Sequence, residues 1–450
     1  MIIGIDDTDS RAGMCTTYLC AVLVEELKAY GDISTPRLVR LNPCIPFKTR
    51  GNGAVSFEVV VNAEKEETVK ELVKSRVREL SEVQDEGTNP GVVFIDNAAL
   101  YALRDSDGKK ERKLLKDFYE TAVRDVVKLE HAYDIIAELQ LDCFGLKNKR
   151  GIIGALAAAA FLTVQTREPA YYDFTYELIA YREKNRWGTS RIIEKASVWK
   201  ADEATYPLTW DTVDRTNRKV VCAPHSPCPV LFGIRGDSVD ALYNARELIR
   251  AEPAEREMLF VTNQGTDSHL ITACEEANGV LADYHSYILD GVVESNPRTI
   301  VGGHVVFVLA LTLSHPREQK ARIDCIAYEP TKNFRDIIRK LWIGDEVTVY
   351  GSFKDRTINL EKIELRKLNV KVEVNPRCAH CGKRMESAGK SQGYRCKRCK
   401  TYSTEKEVQI VEREIEEGLY EVPPVARRHI SKPLIRLRTK GEIDTTHPSR

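Results

Sequence analysis

Short apolar runs alternate with amphipathic stretches along the first third of the chain. Residues 2–5, 37–41, 54–61 and 92–95 read as strands. Residues 16–29 and 109–139 read as helices, and 64–80 as a charged amphipathic helix. Two glycine-rich loops, 49–53 and 87–91, interrupt this alternation. Beyond residue 148 a helix of small residues, 152–162, opens a second unit. It continues with a β-rich run at 174–181, strands at 220–222 and 230–234, a helix at 240–251 and a strand at 258–261. The order βαββαβ, or a close variant, predicts a ferredoxin-like domain.

A third unit shows strands at 284–293, 303–311 and 321–328, then a helix at 333–340, then strands at 345–350 and 357–365. Three strands, a helix and two more strands is the order of an OB-fold, whose usual clients are single strands or loops of nucleic acid. The chain therefore divides into segments 1–148, 149–282, 283–371, 372–422 and a basic tail, 423–450. A multidomain α+β protein is expected, consistent with a length of 450 residues.

Hydrophobic residues make up 42% of the chain and charged residues 30%, a globular composition. The longest apolar stretch, 151–164, falls short of the roughly 20 residues that span a bilayer. The first residues form a buried-strand pattern with no basic region or cleavage site, so a cytoplasmic protein is expected. Lys+Arg and Asp+Glu both total 67, and only their distribution is informative. Residues 371–400 carry nine basic side chains against two acidic, and 421–450 carry seven against three. Local excesses of this kind are the footprint expected for phosphate-backbone contact, although a solvated surface would read the same.

Eight of the twelve cysteines are scattered singly, as small buried thiols are in a reducing compartment. The other four, Cys378, Cys381, Cys396 and Cys399, form C-x2-C-x14-C-x2-C. Two thiolate pairs complete the tetrahedron that Zn²⁺ prefers and leave no position open for water, so a structural zinc ribbon is predicted.

Candidate chemistry concentrates at the N-terminus, where the first strand delivers Asp6, Asp7 and Asp9 into one loop and Thr16 and Thr17 follow at a helix start. Carboxylates this close repel one another unless a cation or proton lies among them. Magnesium with a nucleotide phosphate would satisfy them. An aspartyl-nucleophile phosphatase using Asp7 and Asp9 fits the same residues, as does an ordinary acidic turn. The backbone amides at Gly51, Asn52, Gly53, Gly87 and Gly91 favour phosphate binding, with Arg50 beside them. Asp211 and Asp214, three residues apart, are spaced to hold a guanidinium or ammonium group. The polar run 262–269, directly after a strand, suits substrate or nucleotide contact.

Several blocks resemble one family. They are Gly4-Ile5-Asp6-Asp7-Thr8-Asp9-Ser10, Gly13-Met14-Cys15-Thr16-Thr17-Tyr18, Thr49-Arg50-Gly51-Asn52-Gly53, Arg150-Gly151-Ile152-Ile153-Gly154-Ala155, Pro227-Cys228-Pro229-Val230-Leu231, Gly233-Ile234-Arg235-Gly236 and Thr262-Asn263-Gln264-Gly265-Thr266-Asp267. In order and content they resemble the archaeal tRNA-isoleucine 2-agmatinylcytidine synthetases, or agmatidine synthases. The likeness runs from residue 1 through the cysteine pairs, and the stretch after Val422 matches nothing in it. It implies a kinase-like N-terminal domain, a ferredoxin-like domain, an OB-fold and a zinc ribbon. It further implies ATP, Mg²⁺ and agmatine as cosubstrates, and the wobble cytidine of the CAU-anticodon isoleucine tRNA as target. ATP would be cleaved to AMP and pyrophosphate, the base oxygen at carbon two phosphorylated, and that group displaced by agmatine's amine. By motif, Thr16 would be autophosphorylated, with Thr17 the adjacent alternative. Asp211 or Asp214 would hold agmatine's guanidinium. A non-catalytic RNA-binding protein built from the barrel and ribbon is the rival from another class.

Overall fold

The computed structural model describes residues 1–48, 51–105, 108–167, 171–272, 281–312, 322–442 and 445–450. Arg50 of the first glycine-rich loop lies outside them.

The strand Ile2–Asp6 is apolar on both faces because both are covered, and Ile2, Ile3 and Ile5 are fully buried. The helices Thr16–Leu27 and Ala63–Leu80 close one face. The helices Lys109–Arg124, Leu129–Glu138 and Gly151–Arg167 close the other. Gly151–Arg167 is buried on every side from Gly151 to Gln165, which is why its sequence lacks a polar stripe. Small residues let it lie directly on the sheet: a Cβ on Gly4 would stand 2.0 Å from the Ala155 carbonyl oxygen.

One sheet runs through the first two units. Its spatial order is Asp142–Gly145, Gly91–Ile95, Ile2–Asp6, Gly53–Val60, Arg37–Arg40, Ala254–Thr262, Thr175–Arg182, Val230–Gly236 and Thr209–Trp210. The seam is the parallel pairing of Arg37–Arg40 with Ala254–Thr262; the other neighbours along this path are antiparallel. In the second unit Thr175–Arg182, Thr209–Trp210, Val230–Gly236 and Ala254–Thr262 stand in the order fourth, first, third, second, with helices Lys195–Thr205 and Val239–Leu248 packed on them. The predicted long helix 109–139 is two helices, broken where the Asp125 carboxylate accepts the Val126 amide. Lys195–Thr205 and Thr209–Trp210 were not predicted.

The third unit is a closed five-stranded barrel. Ser286–Val293 pairs with Val305–Leu311, which pairs with Arg322–Ala327. Arg322–Ala327 then pairs in parallel with Thr357–Lys367, and Glu346–Lys354 closes the ring between Thr357–Lys367 and Ser286–Val293. The helix Phe334–Arg339 lies between the third and fourth strands, as the sequence order requires. The four ribbon cysteines sit in a small module where Lys371–Val374 pairs with Glu407–Ile410.

The basic tail corrects an expectation. Its charge reads as a phosphate footprint, yet most of it is matched internally. Arg436 is buried between Asp173 and Asp237, Arg428 reaches Glu361 at 3.1 Å, and Arg450 reaches Asp202 at 3.1 Å. Arg427 is buried between Asp211 and Glu421. The helix Leu434–Thr439 and the strand Thr446–His447 complete a strap between the second unit and the barrel. Among the described residues no helix is long and apolar enough to cross a membrane.

Candidate active-site cleft

Where the first sheet meets the second unit and the strap, a cleft of about 470 Å³ opens. Asp6, Asp7, Asp9, Thr16 and Thr17 line one wall, and Gly51, Asn52 and Gly53 line another. The sequence expectation brought these residues together, and the structure does so too. The second unit contributes Glu177, Arg235 and the loop 219–228, and the strap contributes Arg427 and His429.

The carboxylates are held in place by specific contacts. Asp6 ends its strand against the helix start at Gly151–Gly154, so close that a Cβ on Gly154 would lie 1.9 Å from Asp6 Oδ2. Asp7 turns into the left-handed region at φ 59° and accepts the Asn89 amide at 3.0 Å. Burial, then the neighbouring Asp7, pushes the Asp6 carboxyl well above the ordinary carboxylate range. Burial, then Asp9, raises Asp7 to about 7. Arg150 offsets only part of this. Half-buried and mutually repelling, these oxygen donors favour a proton or a hard cation among them. The Thr16 oxygen accepts from the Thr8 hydroxyl at 3.0 Å, and Thr17 Oγ1 lies 3.0 Å from Cys15 Sγ.

Two groups of residues expected at the site stand apart from the cleft. Gly87 and Gly91 do not line the cleft. Gly91 is a glycine because a Cβ there would meet the Ile152 nitrogen at 2.0 Å, and the amide between them, that of Asn89, is taken by Asp7. Asp211 and Asp214 also stay out of the lining. Asp211 already holds a guanidinium, that of Arg427, and Asp214 accepts from the backbone and side chain of Asn217. The polar run 262–269 is likewise spent on structure. Asn263 Oδ1 accepts the Arg40 amide at 2.7 Å, and Gln264 bridges Arg40 Nε at 3.2 Å and Glu177 at 2.5 Å.

Sequence reading missed Arg40, Glu177, Arg235 and His429. Glu177 is buried, with Arg235 Nε at 3.2 Å and Arg40 at 3.9 Å, and Arg40 in turn holds the Gly51 carbonyl at 2.9 Å. Arg235 stands in one of the family blocks without a role attached to it, and no local spacing announces the other three, because four separate chain segments meet to form the set.

In the ribbon, the four thiol sulfurs lie within 4.8 Å of one another, Cys381 and Cys396 at 3.6 Å. Tetrahedral bonds of about 2.3 Å put sulfurs about 3.8 Å apart, so the residues fit zinc. The hydroxyl of Thr401, 3.2 Å from Cys378, lowers that thiol to about 6, which favours the ligating thiolate.

Family models match three parts of the chain: the TiaS TCKD domain over residues 2–148, the TiaS FLD domain over 149–269 and the TiaS C-terminal zinc ribbon domain over 375–415. A tRNA(Ile2) 2-agmatinylcytidine synthetase TiaS of Methanosarcina mazei is 51% identical over 438 residues, 97% of each chain. That of Archaeoglobus fulgidus is 47% identical over 98% of each. A solved TiaS–tRNA(Ile2)–ATP complex is similar over 100% of this chain and 99% of its own, at 46% identity and a TM-score of 0.85. A TiaS–tRNA(Ile2)–AMPCPP–agmatine complex covers the same shares at 43% identity and a TM-score of 0.83. With the whole length matched at such identity and the cleft formed by the matching blocks, the chain belongs to the TiaS family of tRNA(Ile2) 2-agmatinylcytidine synthetases.

Proposed function

We propose that the protein uses ATP to replace the carbon-two oxygen of the wobble cytidine of tRNA(Ile2) with agmatine, giving agmatidine. The observation that carries this is the end-to-end likeness to relatives of that activity, with their ATP- and agmatine-bound forms among the solved structures.

The chemistry follows from the cleft. A base oxygen is a poor leaving group until it carries a phosphoryl group, so ATP first phosphorylates it and agmatine's primary amine then displaces phosphate. Asp6, Asp7 and Asp9 would hold Mg²⁺, and the raised Asp6 and Asp7 carboxyls support that reading. A bound divalent cation supplies screening of the triphosphate charge. Gly51, Asn52 and Gly53 would present backbone donors to phosphate, with Arg40 bracing that loop, and Arg50, the preceding residue in sequence, is proposed as the guanidinium donor. Thr16 is the candidate phosphate acceptor and Thr17 the alternative; both line the cleft. With Asp211 and Asp214 outside the lining and Glu177 between two arginines, Asp125 is the lining carboxylate proposed for agmatine's guanidinium, its Oδ1 accepting the Val126 amide and lying 3.2 Å from His285.

The kinase-like reading of the first unit rests on the carboxylate loop and the glycine loop facing one cleft. The ferredoxin-like reading of the second rests on its fourth, first, third, second strand order. The barrel and the basic ribbon would hold the tRNA, leaving an extruded wobble base to the cleft. A cytoplasmic location suits a tRNA substrate and the free thiols. The phosphatase and scaffold alternatives are not favoured, since neither calls for the whole-length likeness.

The test is incubation with ATP, Mg²⁺, agmatine and the CAU isoleucine tRNA, followed by mass analysis of digested nucleosides. Agmatidine is expected only when all four are present. Unmodified cytidine in the complete mixture would overturn the proposal.

A further inference from the structure

The strap brings an imidazole to the cleft that the proposed reaction has not yet used. His429 is pinned through its backbone, its carbonyl accepting the Gly265 amide at 2.9 Å while the Ile430 carbonyl accepts the Thr266 and Asp267 amides. Its ring is open to the cleft. The ring lies against the glycine loop: a Cβ on Gly51 would be 3.4 Å from Cδ2 and 3.6 Å from Nε2. Among the described residues neither ring nitrogen has a hydrogen-bond partner.

The charged groups facing it are Arg235, Arg40 and Lys48, with Glu177 behind and tied to both arginines. Arg235 first, with Arg40 and Lys48, pushes its pKa well below 6.5 and so holds the imidazole neutral. Three cations suffice to receive phosphate. Of the other groups in the lining that could take a proton, Glu177 is bound to arginines, the aspartate trio is suited to a cation and Asp125 meets His285 at 3.2 Å; the second imidazole, His225, belongs to the loop of the second unit, and it is His429 whose ring lies against Gly51.

We infer that His429 is the base that takes the proton from agmatine's amine as it displaces phosphate from carbon two of the cytidine. This rests on the agmatidine-forming reading above. The free imidazole nitrogen takes one proton from agmatine's ammonium group and passes it to water, which frees the nitrogen lone pair; that pair bonds to carbon two, the carbon–oxygen bond breaks, and phosphate leaves with its electron pair. The second proton, shed by the new carbon–nitrogen bond, goes to the departing phosphate. The phosphoryl group itself readies the base, because its negative charge offsets the three cations that suppress the imidazole's basicity.

The experiment separates the two steps by single turnover. Phosphorylation of the tRNA is followed without agmatine, and amination is followed after agmatine is added. His429→Gln and His429→Asn are expected to slow amination about 100-fold and phosphorylation less than about threefold. The pH profile of amination should lose its rising limb. The defect should shrink when agmatine is replaced by an amine of low basicity, such as hydroxylamine, which is already neutral at pH 7. Equal losses in both steps, an unchanged amination rate, or a defect independent of the amine's basicity would each overturn the role of His429. A wild-type protein that performs neither step would instead overturn the underlying reading.

Discussion

Gly154→Ala tests whether the Asp6 carboxylate must sit where the fold puts it. In an ordinary helix interior this change stabilises by up to about 1 kcal/mol. Here the new Cβ would lie 1.9 Å from Asp6 Oδ2, 2.6 Å from its Cγ and 3.0 Å from its Cβ. Ordinary contact begins near 3.4 Å, so the carboxylate must retreat by about 1.5 Å or the helix must lift. A misplacement of about 1 Å in a catalytic group costs about 100-fold in rate, or about 2.7 kcal/mol of transition-state stabilisation. Single-turnover phosphorylation of the tRNA at saturating ATP should fall by at least that factor, while thermal melting shifts by only a few degrees. Gly13→Ala is the control, because a Cβ there meets nothing nearer than Glu82 Oε1 at 3.5 Å. A folded Gly154→Ala protein with wild-type phosphorylation would refute the positional role of Asp6.

The titration of the trio has a definite sign. Asp7 is raised from 3.8 to about 7, so the cation-free folded state holds a proton that the unfolded chain gives up. Stability is therefore lost as pH rises from about 4 through 7, and it levels off above. Mg²⁺ affinity, measured by calorimetry, should rise at least about tenfold per pH unit as pH approaches 7 from below, with Asp7→Asn making the slope shallower and leaving the contribution of Asp6. Arg427→Met leaves Asp211 and Glu421 buried without their guanidinium, which should destabilise by about 3–5 kcal/mol in urea unfolding. Because burial already raises Glu421 to about 7, the loss should deepen as pH rises past that value. Purified protein should carry one zinc per chain, and chelation should remove amide protection from the ribbon while the first sheet keeps its own.

What the sequence made legible was local. Cys378, Cys381, Cys396 and Cys399 announce their ligand set by spacing, and Ile2–Asp6 announces a buried strand that ends in carboxylates. The barrel was legible because its strands alternate cleanly and occur in order. Residues whose role depends on a distant partner were not legible. Gly91 reads as a phosphate-loop glycine but serves the packing of Ile152, and Asp211 reads as a ligand carboxylate but is matched by Arg427, 216 positions away. The tail reads as an RNA contact, yet its arginines are counter-ions for Asp173, Asp237, Glu361 and Asp202. His429 carries no signal in its neighbourhood, since the cations that tune it come from other segments.

Agmatidine formation at the wobble cytidine is tested most directly by following radiolabelled agmatine into tRNA(Ile2) transcripts that differ only at the wobble position. With ATP and Mg²⁺, about one agmatine per tRNA is expected when that position is cytidine, and none when it is uridine or when ATP is omitted. Equal labelling of both transcripts, or none of the cytidine transcript, would contradict it.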